Sequence, residues 1–492
     1  MASSNSEKTP QGLEAGSSAK EETAIGQVPE AKVHDPEDPY NWPTQRKIII
    51  AVLLSFGQLV TLMTASMMAA ALDQISADLH MSGSLTQMSF SVYILGLGFG
   101  PFIIGPMSEV YGRRHVWIAC NIWYILWNSL CPVGWSAALM IVGRLLAGLG
   151  AASGVTLTGP VLTDMFRAKD RGKSLALAGF IPYLGPALGP ILGGLVAQHL
   201  YWGWFFWIMS IFDALVVVIG LFVLKETCAV VLQRRKQPVS QAGLDFTTPA
   251  RPFTTAYLSS VLTPIRTALM RPIQLLLFRP LIFFISFNFA INFAMYFLVL
   301  STFATLYIDR YGESESISSL HYFAIAIGAV FATQAGGPLM DLLFRYQKAR
   351  STGRNEENPE FRVPLMALGA AIFPVGLLWQ GWAAETRAHW AVVDAGAMVF
   401  TFASFVYSQS FYAYLLDEFK HTASANAAVR MFSYLLAFVF PLFATQLYDR
   451  LGYGWGNTLL ALVFIVLGFP SVAVLWFWGP KLRALGKKEE SD

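Results

Sequence analysis

The sequence predicts an all-α membrane protein with twelve transmembrane helices in two pseudo-symmetric six-helix bundles. Three observations carry this reading. Of 492 residues, 55% are hydrophobic and only 13% are charged, where a soluble domain carries about 25% charge; mean hydropathy is +0.50. Apolar stretches of the ~20 residues that cross a bilayer recur along the whole chain. One long polar interruption, 225–279, divides those stretches six and six. Fourteen Trp and thirty-seven Phe suit aromatic belts and a lipid-facing surface.

In chain order, residues 1–45 are rich in Ser, Glu, Pro and Gly and read as a disordered cytoplasmic tail. Their polarity argues against a cleavable signal peptide. Arg46 and Lys47 mark the membrane edge. Spans are expected near 47–72, 86–110, 115–134, 137–163, 172–198 and 203–224, making an N-terminal bundle over 46–224. The central loop 225–279 is basic around Arg234, Arg235 and Lys236. A C-terminal bundle over 280–480 follows, with spans near 280–308, 317–343, 363–383, 390–416, 424–448 and 455–478. The tail 481–492 ends the chain.

Charge sets the orientation. With the N-terminus inside, the inner connections hold Arg113, Arg114, Arg167, Lys169, Arg171, Lys173, Arg345, Lys348, Arg350, Arg354 and Lys420, and the tail adds more. The outer loops hold Arg310, Arg387 and Arg450. Positive residues favour the cytoplasmic side, so both termini are expected there.

The fifth span is the most unusual. Gly185, Gly189 and Gly193 recur every fourth residue, as do Pro182, Pro186 and Pro190. On a helix each set forms a stripe. The glycines offer a face that another helix can approach closely. The prolines remove amide donors, so the helix is expected to be bent and buried in protein. Two readings follow: a kinked packing helix, or a hinge against which two halves rock.

The halves also resemble each other. Gly105-Pro-Met-Ser-Glu109 after span 2 matches Gly337-Pro-Leu-Met-Asp341 after span 8. Pro190, Gly203 and Trp204 match Pro441, Gly454 and Trp455 at a constant offset of 251. Both matches favour a duplicated six-helix unit, an arrangement in which a site lies between the halves.

Three stretches together resemble the major facilitator superfamily, in its twelve-helix drug:proton antiporter branch of fungal type. Gly105 to Arg114, with Gly112, Arg113 and Arg114, is similar to the superfamily's loop 2–3 signature. Gly143-Arg144 through Gly150 is similar to the span 4 signature. Gly185, Pro186, Gly189, Pro190, Gly193 and Gly194 match the span 5 antiporter motif. The resemblance covers about residues 35–485. Glu109 stands where most members have Asp, and Trp202-Gly203-Trp204 stands where relatives have Trp-Arg-Trp.

The resemblance implies roles. Glu109 is expected to gate by engaging the start of span 11, where Thr422 and Ser424 can cap a helix; the alternative is a solvated carboxylate paired with Arg113. Arg144 lies eight residues into span 4, roughly 12 Å deep. Such an arginine faces a cavity or an acid, and the resemblance implies proton coupling; the alternative is a buried ion pair. Carboxyls withdrawn from water hold protons more tightly, so Asp213 in span 6 is the candidate partner. It reads equally well as a satisfied structural acid. Asp73, Asp78 and Asp394 are placed toward the outer surface. In the implied fold, spans 1, 4, 7 and 10 line a substrate cavity. They offer Gln58, Thr61 and Thr64, then Asn288, Asn292 and Tyr296, then Tyr407, Gln409 and Tyr412. The span 7 stripe suits an uncharged, hydrophobic substrate, though such groups also bond between helices.

Other chemistry is not legible. A net charge of +3 argues against nucleic acid as a partner. No phosphate loop, dinucleotide loop or nucleophile–base pair stands out, so no enzyme activity or cofactor is expected. Cys120, Cys131 and Cys228 and the scattered histidines offer neither a disulfide framework nor a metal site. The expected function is proton-driven export of small amphipathic compounds such as drugs, toxins or secondary metabolites. The expected setting is a monomer in the plasma membrane, working by alternating access. A polyamine or nutrient carrier of the same fold, or a non-transporting sensor, are the rivals. A leucine at Gly189 or Gly193 is expected to jam the rocking.

Overall fold

Apolar stretches become helices here because backbone amides and carbonyls find no water in lipid and must bond each other. The computed structural model describes residues 38–166, 181–236, 266, 270, 273–350, 359–418 and 422–487. Its long helices are α1 (Thr44–Ser66), α2 (Gly83–Tyr111), α3 (Arg113–Leu130), α4 (Ala137–Met165), α5 (Gly185–His199) and α6 (Gly203–Val223). After the central region come α7 (Pro280–Tyr311), α8 (Tyr322–Arg350), α9 (Val363–Glu385), α10 (Trp390–Glu418), α11 (Thr422–Val439) and α12 (Ala444–Lys487). The expected start of span 5, the N-terminal tail and most of 225–279 lie outside the described residues.

Among the described residues, nine helical runs are long and apolar enough to cross a membrane. The last of these, Asn426–Leu482, is 57 residues long. At 1.5 Å per residue it measures about 85 Å, enough for two passes. The passes separate at Gly452, whose φ of 70° breaks the helix; glycine reaches that conformation without a side-chain clash. The eleventh pass therefore runs from α11 through the 3-10 turn Phe440–Phe443 into the first turns of α12. With α3, made less apolar by Arg113, Arg114, Asn121 and Asn128, and with the described part of α5, the described residues make twelve passes.

The halves repeat one packing scheme. α1 packs on α4, α5 and α6, as α7 packs on α10, α11 and α12. α2 packs on α4 as α8 packs on α10, and α3 joins α4 and α6 as α9 joins α10 and α12. Pro190 and Pro441 fall in corresponding helices, and Gly203 and Gly454 begin corresponding passes.

Between halves, α2 meets α11 and α5 meets α8. At the face opposite the chain's N-terminal end, the halves are clasped. Gln74 Nε2 donates to the Ala197 carbonyl at 3.1 Å and to Glu315 Oε2 at 2.8 Å. The Ser316 amide donates to Gln198 Oε1 at 3.1 Å, and Gln446 Nε2 donates to Ser84 Oγ at 3.1 Å. The short helix Glu315–Leu320 lies against α5.

The glycine stripe of α5 faces elsewhere than a hinge between halves requires. A Cβ on Gly185 would lie 2.7 Å from Leu62 Cβ, and one on Gly189 would lie 2.5 Å from the Met63 carbonyl oxygen; one on Gly193 would strike the Met67 carbonyl. All three positions therefore press on the end of α1, inside the same half. Gly194, one residue off the stripe, faces the other half: its Cβ would lie 2.6 Å from the Glu315 carbonyl and from Ser319 Cβ. The physical reason is helical phase, since adjacent residues point about 100° apart. The bend is also placed: Pro182 lies in the 3-10 turn Ile181–Leu184, and Pro186 sits in the first turn of α5.

Candidate functional site

The turn between α2 and α3 is built around a buried acid that sequence reasoning missed. Gly112 has a φ of 97°, and a Cβ there would collide with the Glu226 carboxylate. Glu226, 5% exposed just beyond α6, accepts from the backbone amides of Arg113 at 2.8 Å and Arg114 at 3.3 Å. Those amides begin α3 and have no helical partner, and the positive helix end favours an anion. Arg113 then reaches Ser108 Oγ and stands 3.6 Å from Asp164 of α4. Arg114 donates to the Leu221 carbonyl at 2.8 Å. Both arginines thus tie their own half together. Gly105 meets open space, and Glu109 is exposed, making no side-chain hydrogen bond or ion pair among the described residues. The side chains of Thr422 and Ser424, its expected partners, lie outside the described residues. The signal that could have pointed to Glu226 was an acid directly after an apolar span, but its partner is 113 residues away.

Arg144 is completely buried on α4. Its guanidinium donates to the carbonyls of Thr64 at 3.0 Å, Ser89 at 3.4 Å and Phe90 at 3.4 Å. Thr64 lies in the last turn of α1, where carbonyls lack intrahelical donors. The Tyr93 ring lies 4.4 Å from the guanidinium carbon and Phe206 lies 6.0 Å away. No carboxylate pairs with Arg144 among the described residues. The expected buried ion pair is absent from this state; carbonyl dipoles and aromatic faces hold the cation instead.

Asp213 is 1% exposed on α6, and among the described residues neither carboxyl oxygen has a hydrogen-bond partner. It is therefore not a satisfied structural acid. An ionised carboxylate without donors is costly in such surroundings, and protonation removes that cost. Tyr93 and Tyr124 lie within electrostatic reach of both Asp213 and Arg144. Tyr124 shares a 2.6 Å hydrogen bond with Thr64 Oγ1, and Tyr93 donates to the Thr61 carbonyl at 3.1 Å. Two phenols thus feel both the buried cation and the buried acid.

A cavity of about 230 Å³ opens among α7, α10 and α11. Phe289, Phe293, Tyr296, Phe405, Tyr412 and Tyr434 supply aromatic walls, and Gln409, Asn426 and Arg430 supply polar ones. Tyr412 near the end of α10 and Asn426 near the start of α11 place it toward the N-terminal face. Tyr296, Gln409 and Tyr412 thus lie where expected, on the lining. Asn288 and Asn292 do not line it. Asn288 Nδ2 turns back to the Phe284 carbonyl at 2.9 Å, and Asn292 Nδ2 crosses to Ser408 Oγ at 2.7 Å and the Ser404 carbonyl at 3.2 Å. Buried amides in a helix bundle take the nearest free acceptor, so the two asparagines of the stripe are spent on helix packing. Gln58 is half-buried on α1 beside Gly154 of α4 and is outside the lining. Thr61 bonds the Ala151 carbonyl at 2.9 Å and Tyr407 bonds Ser471 at 3.1 Å, both within their own halves. Arg430 and the phenylalanines were missed, because only the packing of α11 on α7 brings them to one wall.

The arrangement has known counterparts. The chain is 39% identical over 427 residues to the probable efflux pump mfs2 of Aspergillus flavus, covering 86% of this chain and 100% of that protein. It is 32% identical to the efflux pump vrtL of Penicillium aethiopicum, covering 92% of each chain. Its fold is similar to a crystal structure of a D-xylose-proton symporter, with a TM-score of 0.64 at 16% identity over 87% of this chain and 97% of that one. The family model described as Major Facilitator Superfamily matches residues 54–441. With that match and those relatives, the chain belongs to the major facilitator superfamily and is a multi-pass membrane protein.

Proposed function

We propose that this protein exports small amphipathic compounds from the cytoplasm by proton-driven alternating access, with both termini cytoplasmic and the plasma membrane as its site. The observation that carries the reading is the cavity, aromatic-walled with a few amides and one arginine, set toward the N-terminal face while the opposite face is clasped shut. The excess of Lys and Arg at the N-terminal face supports placing that face in the cytoplasm. The relatives named as efflux pumps support the direction of transport.

In this reading 46–224 and 280–480 are the moving bundles, and the cavity takes a drug, toxin or secondary metabolite from the inner side. Rocking about the α2–α11 and α5–α8 seams opens the clasp of Gln74, Gln198, Glu315 and Ser316. Asp213 then takes a proton from outside, and Tyr93 and Tyr124 couple its charge to Arg144. Releasing that proton inside resets the cycle. Glu109, whose side chain makes no hydrogen bond or ion pair among the described residues, engages the other half when the inner face closes.

Purified protein in sealed vesicles, with an imposed pH gradient and a panel of fluorescent amphipathic compounds, tests this. Gradient-dependent accumulation is expected. Accumulation that ignores the gradient removes proton coupling, and no flux of any compound favours a sensor.

A further inference from the structure

The geometry assigns a proton-binding site to the C-terminal half: His321, held between Asp394 and Glu313 and stacked on Tyr307. His321 is the residue between the short helix Glu315–Leu320 and α8. Its Nδ1 lies 2.8 Å from Asp394 Oδ2, and its Nε2 lies 2.9 Å from Glu313 Oε2. The Tyr307 hydroxyl donates to the other Asp394 oxygen at 2.6 Å. The Tyr307 and His321 rings stack at 3.7 Å with 4° between planes, and Trp390 lies 5.6 Å away. The imidazole is 8% exposed.

Proton counting makes the case. A neutral imidazole has one N–H and one lone pair, while an ionised carboxylate only accepts. A neutral ring here turns its lone pair on a carboxylate oxygen less than 3 Å away. One further proton, held on the ring, satisfies both contacts at once, because both ring nitrogens then donate. It also lowers the cluster's charge from −2 to −1. Other charges nearby do not do this. Arg310 is taken by Glu385 at 3.2 Å, the Tyr311 hydroxyl donates to the Ala388 carbonyl at 2.6 Å, and His389 Nδ1 accepts from the Ala391 amide at 3.3 Å. A cavity of about 590 Å³ between α8 and α10, lined by His321, Glu313, Asp394 and Trp390, gives access to the cluster.

The bound proton links α7 through Tyr307, the segment after it through Glu313, the start of α8, and α10 through Asp394. Its departure leaves one bridge unmade. The neighbouring Glu315–Leu320 helix is the one that seals the halves against α5 and Gln74. Proton loss at His321 therefore loosens the clasp from the C-terminal side, at a site separate from Arg144 and Asp213.

The test needs no transport. Full-length protein with 15N-labelled histidine is placed in lipid nanodiscs, and the His321 side-chain signals are assigned by their absence in His321→Gln. At pH 7.5, a pH at which an ordinary histidine of pKa about 6.5 is neutral, both ring nitrogens of His321 are expected to carry protons. Asp394→Asn is expected to convert the ring to a neutral tautomer. If His321→Gln does not fold, the signal that responds to Asp394→Asn makes the assignment. The thermal midpoint of the wild type is expected to fall more steeply than that of Asp394→Asn between pH 7 and 9, because a proton held through its partners stabilises at low pH and is lost as pH rises. A neutral His321 at pH 7.5, or a ring state and midpoint slope indifferent to Asp394, overturns the assignment.

Discussion

The two halves share one packing scheme and treat buried charge in opposite ways. In the N-terminal half Arg144 is held by three carbonyls and an aromatic ring, and Asp213 has no hydrogen-bond partner among the described residues. In the C-terminal half the buried and half-buried groups interlock: Tyr307, Asp394, His321 and Glu313 form one chain of contacts, and Arg310 pairs with Glu385. The described cavity of aromatics and amides is lined wholly by the C-terminal half. Duplication thus yields a common scaffold, after which one half carries unpaired charge and the other shapes the binding wall. Unpaired buried charge is costly, so the N-terminal half is the one with free energy to release when a proton arrives or leaves.

The largest effect should come from Arg144. Arg144→Gln removes the cation and leaves at least one of its three carbonyls without a donor, which costs about 1–3 kcal/mol. Export in vesicles is expected to fall at least ~100-fold, the effect of about 3 kcal/mol on a rate, and the thermal midpoint should drop by several degrees. Arg144→Lys should not rescue export, because one ammonium cannot span carbonyls on α1 and α2. Near wild-type export by either variant would remove Arg144 from the mechanism.

Next comes the seam. Gly194→Leu inserts a side chain between α5 and the Glu315–Leu320 helix. It should hold the clasped face open, raising the labelling of a cysteine placed at Gln198 and lowering export about tenfold. Gly189→Leu presses on α1 instead, and should cost about 1–3 kcal/mol of stability by overpacking. Equal behaviour of the two variants in labelling and in thermal scans contradicts the assignment of the two faces.

Asp213→Asn should leave stability unchanged or raise it, since it removes a buried carboxyl that no donor satisfies. Export should become independent of external pH. A preserved pH profile moves the proton site elsewhere. Glu226→Ala should cost about 1–2 kcal/mol, the usual cost of losing a helix cap, read as a lower thermal midpoint.

The smallest effect should come from Asp73, in the short helix Leu72–Asp78 beside the clasp. Withdrawal of its carboxyl from water and the nearby charge of Asp309 raise its pKa above the ordinary 3.8. The clasped state therefore binds this proton more tightly than a solvated carboxyl does. Its contribution is present at low pH and fades as pH rises through the raised value. Asp73→Asn should make clasp closure, followed by the same cysteine labelling, slightly less pH-dependent. A steeper dependence would reverse the sign.

How far the sequence reached differs between fold and site. Composition, the spacing of apolar runs and the 251-residue offset were enough for twelve passes in two repeated halves, because each span must satisfy its own backbone in lipid. The three motif stretches were enough for the family. Arg144 was legible as a buried cation, because a lone arginine deep in an apolar run has few places to be. Its carbonyl partners were not, since they belong to α1 and α2 and any backbone can serve. The α5 glycines were legible as a close-packed face, but their target was not: phase around the helix sends Gly189 to α1 and Gly194 to the other half. Asn288 and Asn292 looked like a cavity stripe and proved to be packing contacts, while Tyr296 on the same stripe reached the cavity.

By itself, the sequence determined the membrane class, the repeated helices and which residues carry buried charge. These follow from periodicity and transfer energy, which act on one segment at a time. Only the tertiary structure decided that Glu226 caps α3, that Asp213 has no partner among the described residues, and that His321 sits between two carboxylates. Such contacts join residues from 8 to 113 positions apart, and distances of a few tenths of an ångström decide whether a proton is shared or excluded.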